Sequence, residues 1–420
     1  MKPNADTRLY RKLLPYLLLC LLWTAAACDA DNSASDTPSA EPHSATPWKT
    51  YSLSQVQSTL QMAALLFPEL QPVAASASHD VTVYQVTYAT TLGDAPITAS
   101  GLLSIPHSQG DFPILSFQNG TNTCHAQAPS ANPDAMLYNI ISFAASLGYI
   151  VAIPDYIGFG ASDQVLHPYH HRASSDRAVV DFIRTTQAFL QASDDLPGDN
   201  GQLLLMGYSQ GGWATLSALS ELEAHPLPGL TPVAAACGAG AYDLLEMGHH
   251  ILETDAYPEP FFLPYFIHSH QQNGFMPGTL NDYFTAPYAA DIPALFDGEL
   301  CNASVNAALP DSLDDWLTPH LRTSLDTADD ATPLRAALTQ NSVDPWAVQT
   351  PLRLYHSPGD QTVPFWQSEL CHERLLAAGT APERIDIITA EDADATHTDA
   401  TMGWGVDTLR WFQSLDLSGH

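Results

Sequence analysis

Three residues of this 420-residue chain have the types and the order that acyl-transfer chemistry requires. Ser209 stands in Gly207-Tyr208-Ser209-Gln210-Gly211, a Gly-x-Ser-x-Gly pattern with an apolar run before it and helix-forming residues after it. Such a serine takes a strained backbone conformation at a strand-to-helix turn, so the residues two positions away must be small. Its hydroxyl is a weak nucleophile until a base removes the proton and a carboxylate orients that base. Asp360, in "LYHSPGDQTVPF", follows a predicted strand and is the candidate carboxylate; Asp344, Asp386 and Asp394 lie before a strand, inside one, or in an acidic run. His397, in "DADATHTDA", is the only histidine between the last predicted strand and the final helix, and is the candidate base. His356, His372 and His420 fall in a strand, on a helix and at the terminus.

The charge that develops on the attacked carbonyl oxygen needs preorganised donors. The N–H of Gln210 is one candidate, because it opens the helix after the serine. The N–H of Gly120 or of Thr121, in the loop Gln118-Asn119-Gly120-Thr121 after strand "PILSF", is the other. The histidine-rich piece "HPYHHR" invites a metal reading, but His167, His170 and His171 have poor spacing for one helical face. It is read instead as a structural loop capping the following helix. No phosphate loop or dinucleotide fingerprint follows any strand, so neither metal nor cofactor is expected.

Positioning these residues takes a sheet. "VTVYQVTYATT" alternates as a strand, with "PITASGLLSIP" as its hairpin partner. Short apolar runs then recur at 113–118, "YIVAIPDY", "QLLLMGY", "PVAAACGAG", "PLRLYHS" and "RIDIITA". Helical patterns separate most of them, at 134–148, 174–192 (with a serine/aspartate start), 210–224, about 365–378 and 399–414. Antiparallel strands followed by strand–helix units predict a mostly parallel sheet with helices on both faces. Residues of about 242–345 interrupt the rhythm with aromatics and prolines and no clear strand, and are read as a largely helical cap insertion.

Composition narrows the function. The 14 basic and 46 acidic residues give a net charge of -32, a field that repels phosphate backbones and excludes nucleic-acid binding. Solubility and adaptation to salty surroundings both accommodate that charge. At the N-terminus, basic residues, "LLPYLLLCLLW" and Ala25-Ala26-Ala27-Cys28 read as a signal peptide over 1–27. The small residues before Cys28 resemble a bacterial lipobox, with Ala25 where leucine is usual. The leading expectation is a lipid anchor on Cys28 and membrane contact through it; the alternative is cleavage by an ordinary signal peptidase and release. Residues 28–50, rich in Ser, Ala, Thr and Pro, are expected to be a disordered tether, and 51–420 the folded domain. Export makes one or two disulfides plausible among Cys124, Cys237, Cys301 and Cys371, with the connectivity open.

"PDYIGFGAS" followed by "HPYHH", then "GYSQGG" and "GDQTVP…THTDA", resembles the secretory lipase family, the lipase A-like branch of the α/β-hydrolases. The resemblance runs in order from about residue 80 to 414. It implies the α/β-hydrolase fold and cofactor-free hydrolysis of carboxylic esters, including acylglycerols. It places the family's serine, aspartate and histidine on Ser209, Asp360 and His397, under a cap that shapes the acyl pocket. The chain departs from many bacterial relatives at Asn119, where they carry histidine; the neighbouring backbone donor is retained. A serine exopeptidase on the same fold is the alternative, with Glu246, Glu253 or Glu259 of the cap holding a substrate amine. A non-catalytic surface-binding protein is a further one, against which the complete set of three residues argues.

Overall fold

The computed structural model describes residues 42–325 and 332–417. The predicted signal peptide, Cys28 and the first part of the predicted tether lie outside the described residues.

The chain opens with β1 (Ser44–Tyr51), α1 (Leu53–Ala63) and α2 (Gln71–Ser76). Next come β2 (Val81–Leu92), β3 (Ala95–Pro106), β4 (Asp111–Gln118), α3 (Met136–Ser142) and β5 (Ile150–Pro154). The central units are α4 (Arg172–Gln191), β6 (Gly198–Tyr208), α5 (Gln210–Ala224) and β7 (Thr231–Gly238). Between β7 and β8 (Leu352–His356) the described residues hold helices α6 (Leu244–Glu253), α7 (Phe262–Gln272), α8 (Leu280–Tyr283), α9 (Tyr288–Leu295), α10 (Asn302–Ala307), α11 (Pro319–Thr323) and α12 (Pro333–Asn341). The chain ends with α13 (Trp366–Ala377), β9 (Ile385–Thr389) and α14 (Ala400–Ser414).

The strands form one sheet in the order β1-β2-β3-β5-β4-β6-β7-β8-β9. β1, β2 and β3 pair antiparallel, β3 pairs antiparallel with β5, and every pair from β5 to β9 across the sheet is parallel. The β2–β3 hairpin turns on two residues, with Gly93 at φ 58° supplying the positive angle such a turn needs. In β6 successive side chains leave on opposite faces: Leu203 and Leu205 join one buried cluster, Leu204 and Met206 the other. Burial on both faces is why this strand reads as continuously aliphatic. α4, α5 and α13 cover the first face, and α1, α3 and α14 the second. The apolar residues of α6, α7 and α12 continue the first cluster, so the helices between β7 and β8 rest on the sheet-covering helices.

Two expectations need correction. Residues 44–50 are not part of a disordered tether but an edge strand, paired with β2 from Ser44↔Thr87 to Tyr51↔Val81. An edge strand draws its stability from backbone hydrogen bonds and tolerates polar, exposed side chains, so its composition resembles that of a linker. Pro47 is accommodated at the register shift between Pro47 and Lys49. α4 starts at Arg172 rather than at the serine/aspartate pair, with His171 at its N-cap and no side-chain cap on the helix backbone.

Candidate active site

The candidate residues gather at the carboxyl ends of parallel strands, where open α/β sheets hold their ligands. Gly120 and Thr121 follow β4, Ser209 follows β6, Asp360 follows β8 and His397 follows β9.

Ser209 has φ 60° and ψ −123°, a conformation that L-residues avoid. Its neighbours explain how the turn closes. A Cβ on Gly207 would lie 2.2 Å from the Gly211 carbonyl oxygen, and one on Gly211 would lie 2.0 Å from that of Gln118. The N–H of Ser209 donates to the Gly238 oxygen at 2.8 Å, so it is occupied. Gln210 is the first residue of α5, and its N–H has no intrahelical acceptor.

Asp360 is buried and held by the backbone that follows it. Its Oδ1 accepts from the N–H groups of Thr362 at 2.8 Å and Val363 at 2.9 Å. Its Oδ2 meets His397 Nδ1 at 2.5 Å and lies 3.3 Å from His356 Nε2. Burial works to raise its pKa, but hydrogen bonds from His356 and His397, the electrostatic pull of the His397 ring and the Val363 N–H outweigh it and hold the carboxyl well below the usual range. An ionised acceptor at Nδ1 selects the tautomer with the proton there, which leaves the lone pair on Nε2. That Nε2 is buried and has no hydrogen-bond partner. The histidine loop is tied down by Tyr208, whose hydroxyl donates to the His397 carbonyl at 2.7 Å, and by Ser357, whose Oγ donates to the Ala395 carbonyl at 2.6 Å.

Ser209, His397, Gly120 and Thr121 line one cavity, together with Glu259, Asn302 and Asp311. Ser209 and Gln210 also line a second, apolar cavity, walled by Leu244, Met247, Ile251, Phe266, Leu338 and Val363. The serine thus stands between an apolar and a more polar space. The Cβ position of Gly120 is 3.7 Å from the Ser209 Cβ, which brings the loop after β4 against the serine. Asn119, at the departure from the bacterial pattern, anchors this loop: its Nδ2 donates to the Gly120 oxygen at 2.9 Å. Tyr156, itself at φ 65°, donates its hydroxyl to the Asn119 oxygen at 3.2 Å.

Reasoning from sequence missed the part played by "HPYHH". His167 is buried, its Nδ1 on the Ile157 carbonyl at 2.7 Å and its Nε2 on Gln210 Nε2 at 2.8 Å. The Gln210 amide must donate there, so the imidazole is neutral with its proton on Nδ1. Burial, opposed by the Ile157 hydrogen bond, lowers its pKa to about 4, which keeps it an acceptor. The histidine therefore holds the side chain next to Ser209, and Gly158 leaves room for it: a Cβ there would lie 2.3 Å from the His167 Cα. The signal was the pairing of "PDYIGFG" with "HPYHH", whose residues meet only in the fold. Among the described residues no group of three His, Cys, Asp or Glu side chains is placed to hold a metal ion.

The other candidates separate. Asp344 is exposed and pairs with Arg172 at 2.8 Å. Glu246 and Glu253 line a different cavity, beside Trp366 and Arg374, whereas Glu259 lines the one containing Ser209. Cys124 and Cys301 form a disulfide, and Cys237 and Cys371 are buried free thiols.

Residues 131–256, which include Ser209, match the family model for secretory lipases. No curated protein sequence matches the chain. Among solved structures, the rice cell wall degrading esterase LipA from Xanthomonas oryzae is 25% identical with a TM-score of 0.77, over 91% of this chain and 99% of that one. A putative hydrolase from Legionella pneumophila (22% identity, TM-score 0.78, 90% and 99% covered) shares the fold. So does Candida antarctica lipase A in its closed state, with 16% identity, a TM-score of 0.65, and 89% and 81% covered. With the family match over the segment that carries Ser209 and a 25% identical esterase superposing along nearly the whole chain, the protein is similar to the secretory lipases, has the α/β-hydrolase fold and is a serine hydrolase of carboxylic esters.

Proposed function

We propose that Ser209 is the nucleophile, His397 its general base and Asp360 the residue that orients the histidine and stabilises the charge it gains with the serine proton. Ser209 Oγ attacks the ester carbonyl as His397 Nε2 takes its proton. The same proton then passes to the departing alcohol, leaving an acyl-enzyme. Water, deprotonated by His397, attacks the acyl carbon and releases the acid and the free serine. The N–H of Gln210 and that of Gly120 or Thr121 receive the oxyanion. The observation that carries this reading is the 2.5 Å Asp360–His397 contact, with an unpartnered Nε2 on a ring that lines one cavity with the strained Ser209.

The apolar cavity suits the acyl chain and the more polar one the alcohol. Apart from Tyr169, His170, Ser209 and Gln210, every side chain lining the first is apolar. Gly248 bounds it, and a Cβ there would lie 2.9 Å from Leu338 Cδ1 and 3.1 Å from Leu325 Cδ1, so these side-chain ends must give way to any larger residue. Gly248→Leu is expected to fill part of this space. Activity on nitrophenyl esters of long acyl chains should fall by about 10-fold or more, with acetyl and butyryl esters nearly unaffected. A uniform loss across all chain lengths would assign the acyl chain elsewhere. The same assays on aminoacyl and prolyl amides test the exopeptidase alternative, which Glu259 alone of its three candidates faces the right cavity to serve.

The match to the secretory lipase model suggests export, and no helix among the described residues is long and apolar enough to cross a membrane. The small residues before Cys28 favour lipidation there. Cys28→Ser is expected to move the protein from the membrane fraction to the soluble one; an unchanged distribution overturns the anchor.

A further inference from the structure

The loop after β4 is held from two sides, and one of them belongs to the helices between β7 and β8. On that side Asn302, the first residue of α10, turns its amide toward the loop. Its Nδ2 donates to the Thr121 carbonyl at 2.7 Å, and its Oδ1 accepts from Thr123 Oγ1 at 3.0 Å. Thr123 Oγ1 also reaches the Leu300 carbonyl at 2.8 Å, and the His125 N–H donates to the Gly298 carbonyl at 2.9 Å. The Cys124–Cys301 disulfide closes the same junction covalently, across a sequence separation of 177 residues.

The geometry explains what this junction does for the loop. A trans peptide sends its C=O and N–H in opposite directions. Asn119 fixes the carbonyl of Gly120, which sets the direction of the Thr121 N–H in the same peptide plane. Asn302 fixes the carbonyl of Thr121, which sets the next plane. Thr121 Oγ1 and the Tyr169 hydroxyl share a third hydrogen bond of 3.1 Å. Thr121 is therefore clamped through both flanking peptides, one by the sheet side and one by the cap. Oxyanion stabilisation depends on donors held in place before the reaction, and displacement by about 1 Å costs on the order of 10²-fold in rate.

We propose that Asn302 is a positioning residue for the oxyanion hole, acting through Thr121, with the Cys124–Cys301 disulfide keeping its segment in register. The cap is then a working part of the catalytic apparatus as well as a cover over it. This proposal rests on the reading of Ser209 and the loop after β4 given above.

Asn302→Leu removes donor and acceptor while keeping the number and branching of side-chain heavy atoms, and Asn302→Asp sets a carboxylate against the Thr121 carbonyl. For a short-chain nitrophenyl ester both are expected to lower kcat about 10- to 100-fold with KM within about 3-fold of wild type. Inhibition by an alkyl trifluoromethyl ketone, whose adduct with serine carries the oxyanion, should weaken by the same factor. The paired Cys124→Ser, Cys301→Ser variant should shift kcat and inhibition in the same direction. Unchanged kcat in both Asn302 variants overturns the proposal. So does a loss confined to KM, or one that disappears when the assay is run well below each variant's unfolding midpoint. The Ser209→Ala variant separates the two levels: if it retains activity, the nucleophile is misassigned. If it is inactive while the Asn302 variants keep wild-type kcat, the positioning role alone fails.

Discussion

Replacing Ser209 by alanine is expected to lower ester turnover by roughly 10⁴-fold or more. The acyl-enzyme route needs a nucleophile at that atom, and the remaining groups retain only binding and oxyanion stabilisation. The substitution should leave the fold intact. Alanine meets the same backbone strain at φ 60° that serine already bears, and the Ser209 N–H keeps its bond to Gly238. The informative measurement combines single-turnover kinetics on a soluble ester with the unfolding midpoint. Near-wild-type turnover by a folded variant would remove Ser209 from the mechanism, whereas a collapse of the midpoint would make the activity loss uninformative. Mass spectrometry of wild type quenched during turnover should find the acyl group on the peptide that carries Ser209.

Asp360→Asn should cost about 10⁴-fold in kcat, although the change is one of the smallest in shape. The asparagine oxygen still accepts from Thr362 and Val363, so its NH₂ takes the place of Oδ2 opposite His397. A donor at that point selects the tautomer with the proton on Nε2, which then has no lone pair for the serine proton. The variant also carries a pH signature. Because the folded-state pKa of Asp360 is depressed below the 3.8 of an unperturbed aspartate, its contribution to stability is fully present above that value. It is lost as the pH falls through the folded value. The asparagine variant has no such dependence, so the stability gap between it and wild type should narrow as the pH is lowered from about 5 to below 3.8. Denaturant titrations across that range measure the gap; a gap that widens on acidification means that the carboxylate is not held in its charged form.

Much of the fold was legible because its signals are short-ranged. "QLLLMGY" reads as a strand and "QGGWATLSALSELEA" as a helix from a few residues each, and the structure has them at Gly198–Tyr208 and Gln210–Ala224. The mostly parallel sheet follows from the same alternation. Edge strand β1 escaped because its partner supplies the hydrogen bonds and its side chains, being mostly exposed, carry no apolar signature. The apolar residues between β7 and β8 could not be divided by inspection between a core and a cavity wall. Phe266 and Leu338 belong to both, as only their surroundings reveal.

By itself the sequence determined the turn at Ser209 and the chain order of serine, aspartate and histidine. Steric demands on Gly207 and Gly211, and the position of each candidate after its strand, are encoded within about a dozen residues. Only the tertiary structure decided what holds those residues in place. His167 supports Gln210, His356 stands beside Asp360 and Asn302 grips Thr121. Cys301 pairs with Cys124 rather than with either buried thiol. Contacts such as Asn302–Thr121 and Cys124–Cys301 join segments far apart in the chain, and a polar side chain has no periodicity to announce its distant partner. Its partner is set by which strands lie side by side and by how the helices between β7 and β8 settle over their ends.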